Sequence, residues 1–263
     1  MILRTATEHL SRNVVIKRRL PARVGGEQIY VSPDASLKLW RRNLEKTDPS
    51  LFNWAQEFVK EGDVVWDIGA NVGLFAFSAA SLAGPTGFVR AIEPDPWLAE
   101  LLRLSARLIS SKCAPVEVLQ VAVSESKGIA GFKIAARGRS TNHLEQVEGS
   151  TQTGGARASV EVVTVPLDSL LEMSRPPQVM KIDVEGAEYE VLSGSQELLA
   201  KVRPLILCEV SSSNAARVGT LLRSYGYELF DLDAEKHLRR PVTRPTFNTL
   251  ARYAPDKESP ATF

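Results

Sequence analysis

Cysteine and histidine are scarce in this chain. The two cysteines, Cys113 and Cys208, lie far apart, and the three histidines, His9, His143 and His237, are scattered. They form no CxxC pair and no disulfide framework, so a reducing compartment is expected and a His/Cys zinc site is disfavoured. Long hydrophobic runs are lacking too. The most apolar stretch, Val64 to Val89, is broken by Asp67, Asn71, Gly84 and Pro85, so no membrane-spanning helix is expected. The N-terminus reads Met-Ile-Leu and then meets Arg4, Glu8 and His9 without the apolar core of a signal peptide. The expectation is a soluble, cytoplasmic protein without a membrane partner. An excess of one charge is also missing. Thirty-two Lys and Arg against 31 Asp and Glu give a net charge of +1, which removes the broad electrostatic grip of a nucleic-acid binder.

What is present is ordinary globular composition. The 263 residues are 44% hydrophobic and 24% charged, enough for one large domain with a buried core. Residues 1–45 read as a basic, irregular N-terminal extension with short strands near Asn13 to Ile16 and Gln28 to Val31. Residues 46–253 carry the main domain, and residues 254–263 form a polar tail expected to fray. Leu51, Trp54, Ala55 and Phe58 recur at helical spacing. Thereafter short apolar strands alternate with helices. The strands are Val64 to Trp66, Phe88 to Ile92, Val116 to Val121, Val179 to Ile182 and Leu205 to Cys208. Such alternation means an α/β fold with a mostly parallel sheet covered on both faces. The last two strands, Tyr227 to Leu232 and Thr246 to Tyr253, have no helix between them, which places one antiparallel strand at an edge. Ile129 to Ala135 and Ser159 to Val165 flank a polar loop, Arg137 to Arg157, that is either a substrate lid or an unstructured excursion.

Ligands of parallel sheets bind beyond the carboxyl ends of the strands, so residues that end strands are the informative ones. Asp67-Ile68-Gly69-Ala70-Asn71-Val72-Gly73 directly follows the first buried strand. Gly69 and Gly73 allow a tight turn and close approach of backbone to a ligand. The spacing is GxxxG, not the GxGxxG of dinucleotide sites, and Asp67 is a poor neighbour for pyrophosphate. It suits a cationic ligand, such as the sulfonium and ammonium of S-adenosylmethionine. Glu93 ends the next strand, where an acidic side chain can accept from both hydroxyls of a ribose. Ala122 and Val123 follow the third strand and can either sandwich an adenine or simply pack. Asp183 ends a buried strand in Lys181-Ile182-Asp183-Val184-Glu185-Gly186-Ala187-Glu188. If the chain stays extended, Asp183 and Glu185 point the same way. The pair can hold the methionine end of a cofactor, bind a hard cation or share a proton; alternatively Asp183 pairs with Lys181. Glu209 ends the neighbouring strand and needs a partner or a function, Arg203 and Lys201 being the candidate partners.

The segments VVWDIGANVGLF, AIEPDP, VAVSES, VPLDSLL, KIDVEGAEYEVLSG, LILCEV and FNTLA, in this order between Asp63 and Ala251, resemble the FkbM-type S-adenosylmethionine-dependent methyltransferases. The pairing of DIGANVG with KIDVEGAE carries the specificity; residues 1–45 and the loop from Arg137 to Arg157 lie outside the good match. The resemblance implies a seven-stranded Rossmann-like methyltransferase sheet and methyl transfer to oxygen, usually a hydroxyl of a sugar or natural product. By position, Asp67, Gly69, Asn71 and Gly73 would line the methionine part of S-adenosyl-L-methionine, Glu93 would hold the ribose, Ala122 or Val123 would sit near adenine, and Asp183 would close the site. An alcohol acceptor must lose a proton, so a general base is expected among Asp183, Glu185, Glu209 and His143. His143, on the candidate lid, has the most suitable ordinary pKa. A divalent cation between Asp183 and Glu209 is conceivable, but no metal ligand set is indicated. The expected partner is a small-molecule or glycan acceptor, with no nucleic acid. Two alternatives stand beside this reading: a non-catalytic adenosyl-binding scaffold, and a methyltransferase acting on nucleic acid or protein. The chain lacks the [ND]PP[YF] motif of amino-methylating nucleic-acid enzymes.

Overall fold

Apolar strands with an acidic residue close to their carboxyl ends set the architecture. The computed structural model describes residues 7–147 and 153–254. Residues 1–6, 148–152 and 255–263, which include most of the expected tail and the middle of the polar loop, lie outside the described residues. An antiparallel hairpin of β1 (Ile16–Arg19) and β2 (Gln28–Val31) precedes helix α1 (Pro49–Phe58). Then come β3 (Val64–Ile68), α2 (Leu74–Ala83), β4 (Phe88–Ile92), α3 (Pro96–Ala106) and β5 (Val116–Leu119). A side sheet follows, built from β6 (Ala122–Val123), β7 (Gly128–Ala135), β8 (His143–Leu144) and β9 (Ala156–Val165). The chain re-enters the main sheet through α4 (Asp168–Leu171), β10 (Val179–Ile182), α5 (Glu188–Ser193), β11 (Leu205–Glu209) and α6 (Ala215–Ser224). It closes with β12 (Tyr227–Asp231), β13 (Pro241–Val242) and β14 (Asn248–Tyr253).

The main sheet has the order β13-β12-β14-β11-β10-β3-β4-β5. Strands β11, β10, β3, β4 and β5 are parallel neighbours. The seven expected strands are there, in a Rossmann-like α/β arrangement. Two strands run antiparallel to the rest: β13 lies at the edge, whereas β14, the expected edge strand, sits between β11 and β12. Its Thr249, Leu250 and Ala251 are all buried, so pairing on both sides suits it. The edge goes to an eighth strand, the two-residue β13, where Pro241 removes no ladder bond that a central strand would need.

Residues 16–44 pack onto this core. Leu20, Val24, Ile29, Val31, Leu39 and Leu44 share one apolar cluster with Phe52 and Trp54 of α1 and Phe75 and Phe77 of α2. Helix α2 is buried almost all round, as a helix between two apolar layers must be. The polar loop is partly built: a 3-10 turn at Arg139–Thr141 leads into β8, which pairs back onto β7 through Phe132 and Leu144. No helix among the described residues is long and apolar enough to cross a membrane. The chain leaves β3 towards β4 on one side and reaches β10 on the other, so the carboxyl ends of β3 and β10 form the switch point of the sheet.

Candidate active site

The two sequence motifs meet at that switch point. Gly69 has φ +76°, and a Cβ there would lie 1.8 Å from the carbonyl oxygen of Asp183, so only glycine lets the two turns touch. Asn71 is also left-handed, at φ 53°. Its N–H donates to Glu93 Oε2 at 2.8 Å, and the N–H of Asp95 donates to Glu93 Oε1 at 2.9 Å. Gly73 has a different job. A Cβ there would meet the Phe77 ring at 2.5 Å and Leu102 at 2.7 Å, so it permits helix packing behind the turn. Asp67 is 0% exposed. Its carboxylate lies 3.2 Å from Lys181 Nζ, and the same ammonium lies 3.3 Å from Asp183 Oδ2.

A cavity of about 280 Å³ opens over these residues. Asp67, Gly69, Asn71, Glu93, Ala122, Val123, Asp183 and Glu209 all line it. Gly73 and His143 do not. Along β8 successive side chains face opposite ways; Leu144 faces the cavity, whereas the His143 ring nitrogen Nδ1 sits 3.2 Å from the carbonyl of Thr141. Glu185 reaches the cavity by another route than the expected extended chain. The strand ends at Ile182, and the chain turns with Glu185 at φ 50° before α5 starts at Glu188. Glu209 follows Cys208, which pairs with Ile182, so it stands beside Asp183 in register. The expected partners of Glu209 are engaged elsewhere. Arg203 bonds the carbonyl of Ala200 and covers Tyr253, and Lys201 pairs with Glu197.

Two walls of the cavity come from outside the strand ends, and the second includes the start of the loop read from sequence as a lid or an excursion. One comes from the N-terminal segment, with Ser36, Lys38, Thr47 and Asp48; the other comes from the β7–β8 arm, with Phe132, Arg139, Asn142 and Leu144. Neither has a motif. Lys181 did carry a signal, as the lone charge in the buried strand Val-Met-Lys-Ile.

The cavity is acidic. Asp48, Asp67, Glu93, Asp183, Glu185 and Glu209 face it against Lys38, Arg139 and Lys181. Burial pushes Glu93 up to about 8, with the charge of Asp95 adding and two backbone N–H groups opposing. Burial and the negative charges of Asp183 and Glu188 push Glu185 to about 8. Glu209 rises to about 8 through burial, then Asp183 and Glu185, with Lys181 pulling back. Burial also raises Asp67 and Asp48 above the usual carboxylate range. Among the described residues no group of three or more His, Cys, Asp or Glu side chains is placed to hold a metal ion.

The cavity thus offers buried carboxylates to a cationic ligand, a carboxylate at the second strand end to a diol, and an apolar slot beside them. The chain is 27% identical over 194 residues to the hexuronic acid methyltransferase AglP of Haloferax volcanii, covering 73% of this chain and 74% of that protein. It is 29% identical over 206 residues to the AMB antimetabolite synthetase AmbE of Pseudomonas aeruginosa, covering 63% of this chain but 10% of that much longer protein. A solved FkbM methyltransferase from Methylobacillus flagellatus superposes with a TM-score of 0.47 and 16% identity, over 77% of this chain and 50% of that one. The model of the methyltransferase FkbM domain matches residues 67–229, more than half of the chain, and the protein belongs to the FkbM methyltransferase family.

Proposed function

We propose that the chain moves a methyl group from S-adenosyl-L-methionine to a hydroxyl oxygen of a sugar, hexuronic acids being the first acceptors to test. The observation that carries this is the acidic cavity at the switch point, and within it Asp67. Both of its carboxylate oxygens are buried, with Lys181 Nζ 3.2 Å from Oδ1, and a carboxylate has acceptor sites for more than one such donor. A ligand ammonium fits the remainder. Asp67, Gly69 and Asn71 would hold the methionine end and Glu93 the ribose, each Glu93 oxygen keeping a lone pair beyond its backbone bond. Ala122, Val123, Phe132 and Leu144 would enclose adenine, and Asp183 would close the donor side. S-adenosyl-L-methionine, when bound, supplies an electrophilic methyl group on a positively charged sulfur.

The residues of the chain do the rest. Glu209 accepts the proton of the acceptor hydroxyl; a carboxylate lifted to about 8 is a far better base than an ordinary glutamate. His143 takes no part, because its ring does not line the cavity. The N-terminal segment and the β7–β8 arm roof the cavity and keep water from it. The relative AglP names a hexuronic acid, and Lys38 is the cation on the N-terminal wall available to an acidic sugar.

The test is incubation with S-adenosyl-L-methionine and glucuronic or galacturonic acid, with mass spectrometry of the sugar. The expected product is an alkali-stable methyl ether. A methyl ester, cleaved by mild alkali, would make a carboxylate the acceptor and remove the need for a base. Glu209→Gln should lower kcat by about 10²–10⁴-fold. The wild-type kcat/KM for the donor should climb with pH up to about 8, because Glu209 acts only once it has lost its proton.

A further inference from the structure

The reaction as proposed makes no use of Lys181. Yet all four residues of β10 are buried, and Lys181 is 4% exposed. A lysine is costly to place there unless something holds its charge. Register sets it beside Asp67 of β3. Its ammonium reaches Asp67 Oδ1 at 3.2 Å, Asp183 Oδ2 at 3.3 Å and the carbonyl of Gly69 at 3.5 Å. Asp67 is 0% exposed, and both of its oxygens are buried. Acidic groups surround the pair, namely Asp183 and Glu185 beyond β10, Glu209 at the end of β11, Glu93 at the end of β4 and Asp48 ahead of α1, while Lys38 and Arg139 are the other cations on the cavity wall. A buried carboxylate among like charges sheds its own charge by taking a proton. A protonated Asp67 forms no ion pair with an ammonium.

We infer that Lys181 is a positioning residue of the donor site: it holds Asp67 ionised and aimed, so that the carboxylate meets the cationic donor as an anion. Burial works against the charge of Lys181 itself, but Asp67 and Asp183 outweigh it and hold the ammonium protonated. Its contact with the Gly69 carbonyl also braces the turn that the donor must approach. The inference rests on the assignment of the cavity to S-adenosyl-L-methionine.

The experiment is calorimetric titration with S-adenosyl-L-methionine at pH 6.5 and pH 9, on wild type, Lys181→Met, Asp67→Asn and the double variant. Lys181→Met is expected to bind at least tenfold more weakly than wild type at pH 6.5. That deficit should shrink at pH 9, as Asp67 gives up the proton it has gained. Asp67→Asn has nothing to titrate at this position, so its deficit should shrink only as the donor's own amine loses its proton, and by less than that of Lys181→Met. The double variant should bind within about twofold of Asp67→Asn, because Lys181 acts through Asp67. A Lys181→Met deficit that shrinks no more than that of Asp67→Asn would mean a packing role and overturn the inference. So would a double variant weaker than Asp67→Asn by the full Lys181→Met factor. If Lys181→Met does not fold, the double variant leaves no stranded charge and decides the matter through its comparison with Asp67→Asn. Absence of binding by folded wild type overturns the donor assignment itself, and that is seen before any variant is made.

Discussion

Gly69 shows how much of the site rests on one hydrogen atom. Its φ of +76° already favours glycine, and a methyl group there would sit 1.8 Å from a backbone oxygen that cannot rotate away. Gly155 has a similar φ of +91° but nothing within 4 Å of the added carbon. The two glycines therefore separate backbone strain from steric exclusion. Gly155→Ala should cost only the conformational penalty, about 1 kcal/mol. Gly69→Ala should cost a further 1–3 kcal/mol, roughly the price of overpacking, and should abolish donor binding because the turns carrying Asp67 and Asp183 are forced apart. Thermal melts and donor titration of both variants check this; equal melting temperatures would show that the Asp183 turn yields freely.

At the scale of elements, the roof of the cavity is latched by charge. Arg139 bonds Asp34 Oδ2 at 2.9 Å and Asp95 Oδ2 at 2.5 Å while covering the Trp97 ring. Arg157 grips Asp34 with two bonds of 2.8 Å, and Asn142 adds a bond of 2.8 Å to Asp95. The latch ties the segment after β2, the β7–β8 arm and the ribose turn into one piece. Breaking a buried ion pair typically costs about 3–5 kcal/mol; here the cost is less, because Asp34 keeps Arg157 and Asp95 keeps Asn142. Arg139→Met should loosen the arm locally, with faster amide exchange across residues 132–144 and weaker donor binding but an intact central sheet. Exchange at the wild-type rate in the arm would rule the latch out. None of this is legible in sequence. Asp34, Asp95 and Arg139 are far apart in the chain, and nothing in spacing joins them. Strands β3, β4, β10 and β11 were legible, because each is a short apolar run with a turn after it, and so were Asp67, Glu93, Asp183 and Glu209 that end or follow them. The place of β14 was not: its apolar centre fits an interior position, but only pairing reveals which two strands it enters. His143 misled because its residue type suits a base, whereas the side of the strand it faces is set by the register of β8 on β7.

At the scale of the whole molecule, the net charge of +1 conceals a concentration of carboxyl groups in one cavity. Glu93, Glu185 and Glu209 are each raised from 4.5 to about 8 by burial, with like-charge neighbours adding. Near neutral pH the folded protein therefore holds protons that the unfolded chain has released. Stability changes with pH in proportion to protons bound unfolded minus protons bound folded; that difference is negative here. The contribution of these groups is complete below about 4.5 and is lost as pH climbs through about 8. The free protein should melt lower at pH 8.5 than at pH 6, by about 2–4 °C for each kcal/mol lost in a chain of this size. A cationic donor reverses the balance, because its positive charge favours the ionised carboxylates. Binding should release on the order of one proton at pH 7, visible as different heats in buffers of different ionisation enthalpy. Affinity should therefore rise towards pH 8 and level off. S-adenosylhomocysteine has no sulfonium charge, so its affinity should change less over the same range. A melting temperature that rises from pH 6 to 8.5, or a donor affinity indifferent to pH, would mean that these carboxyl groups are already ionised in the free protein and that the cavity is wetter than its burial implies.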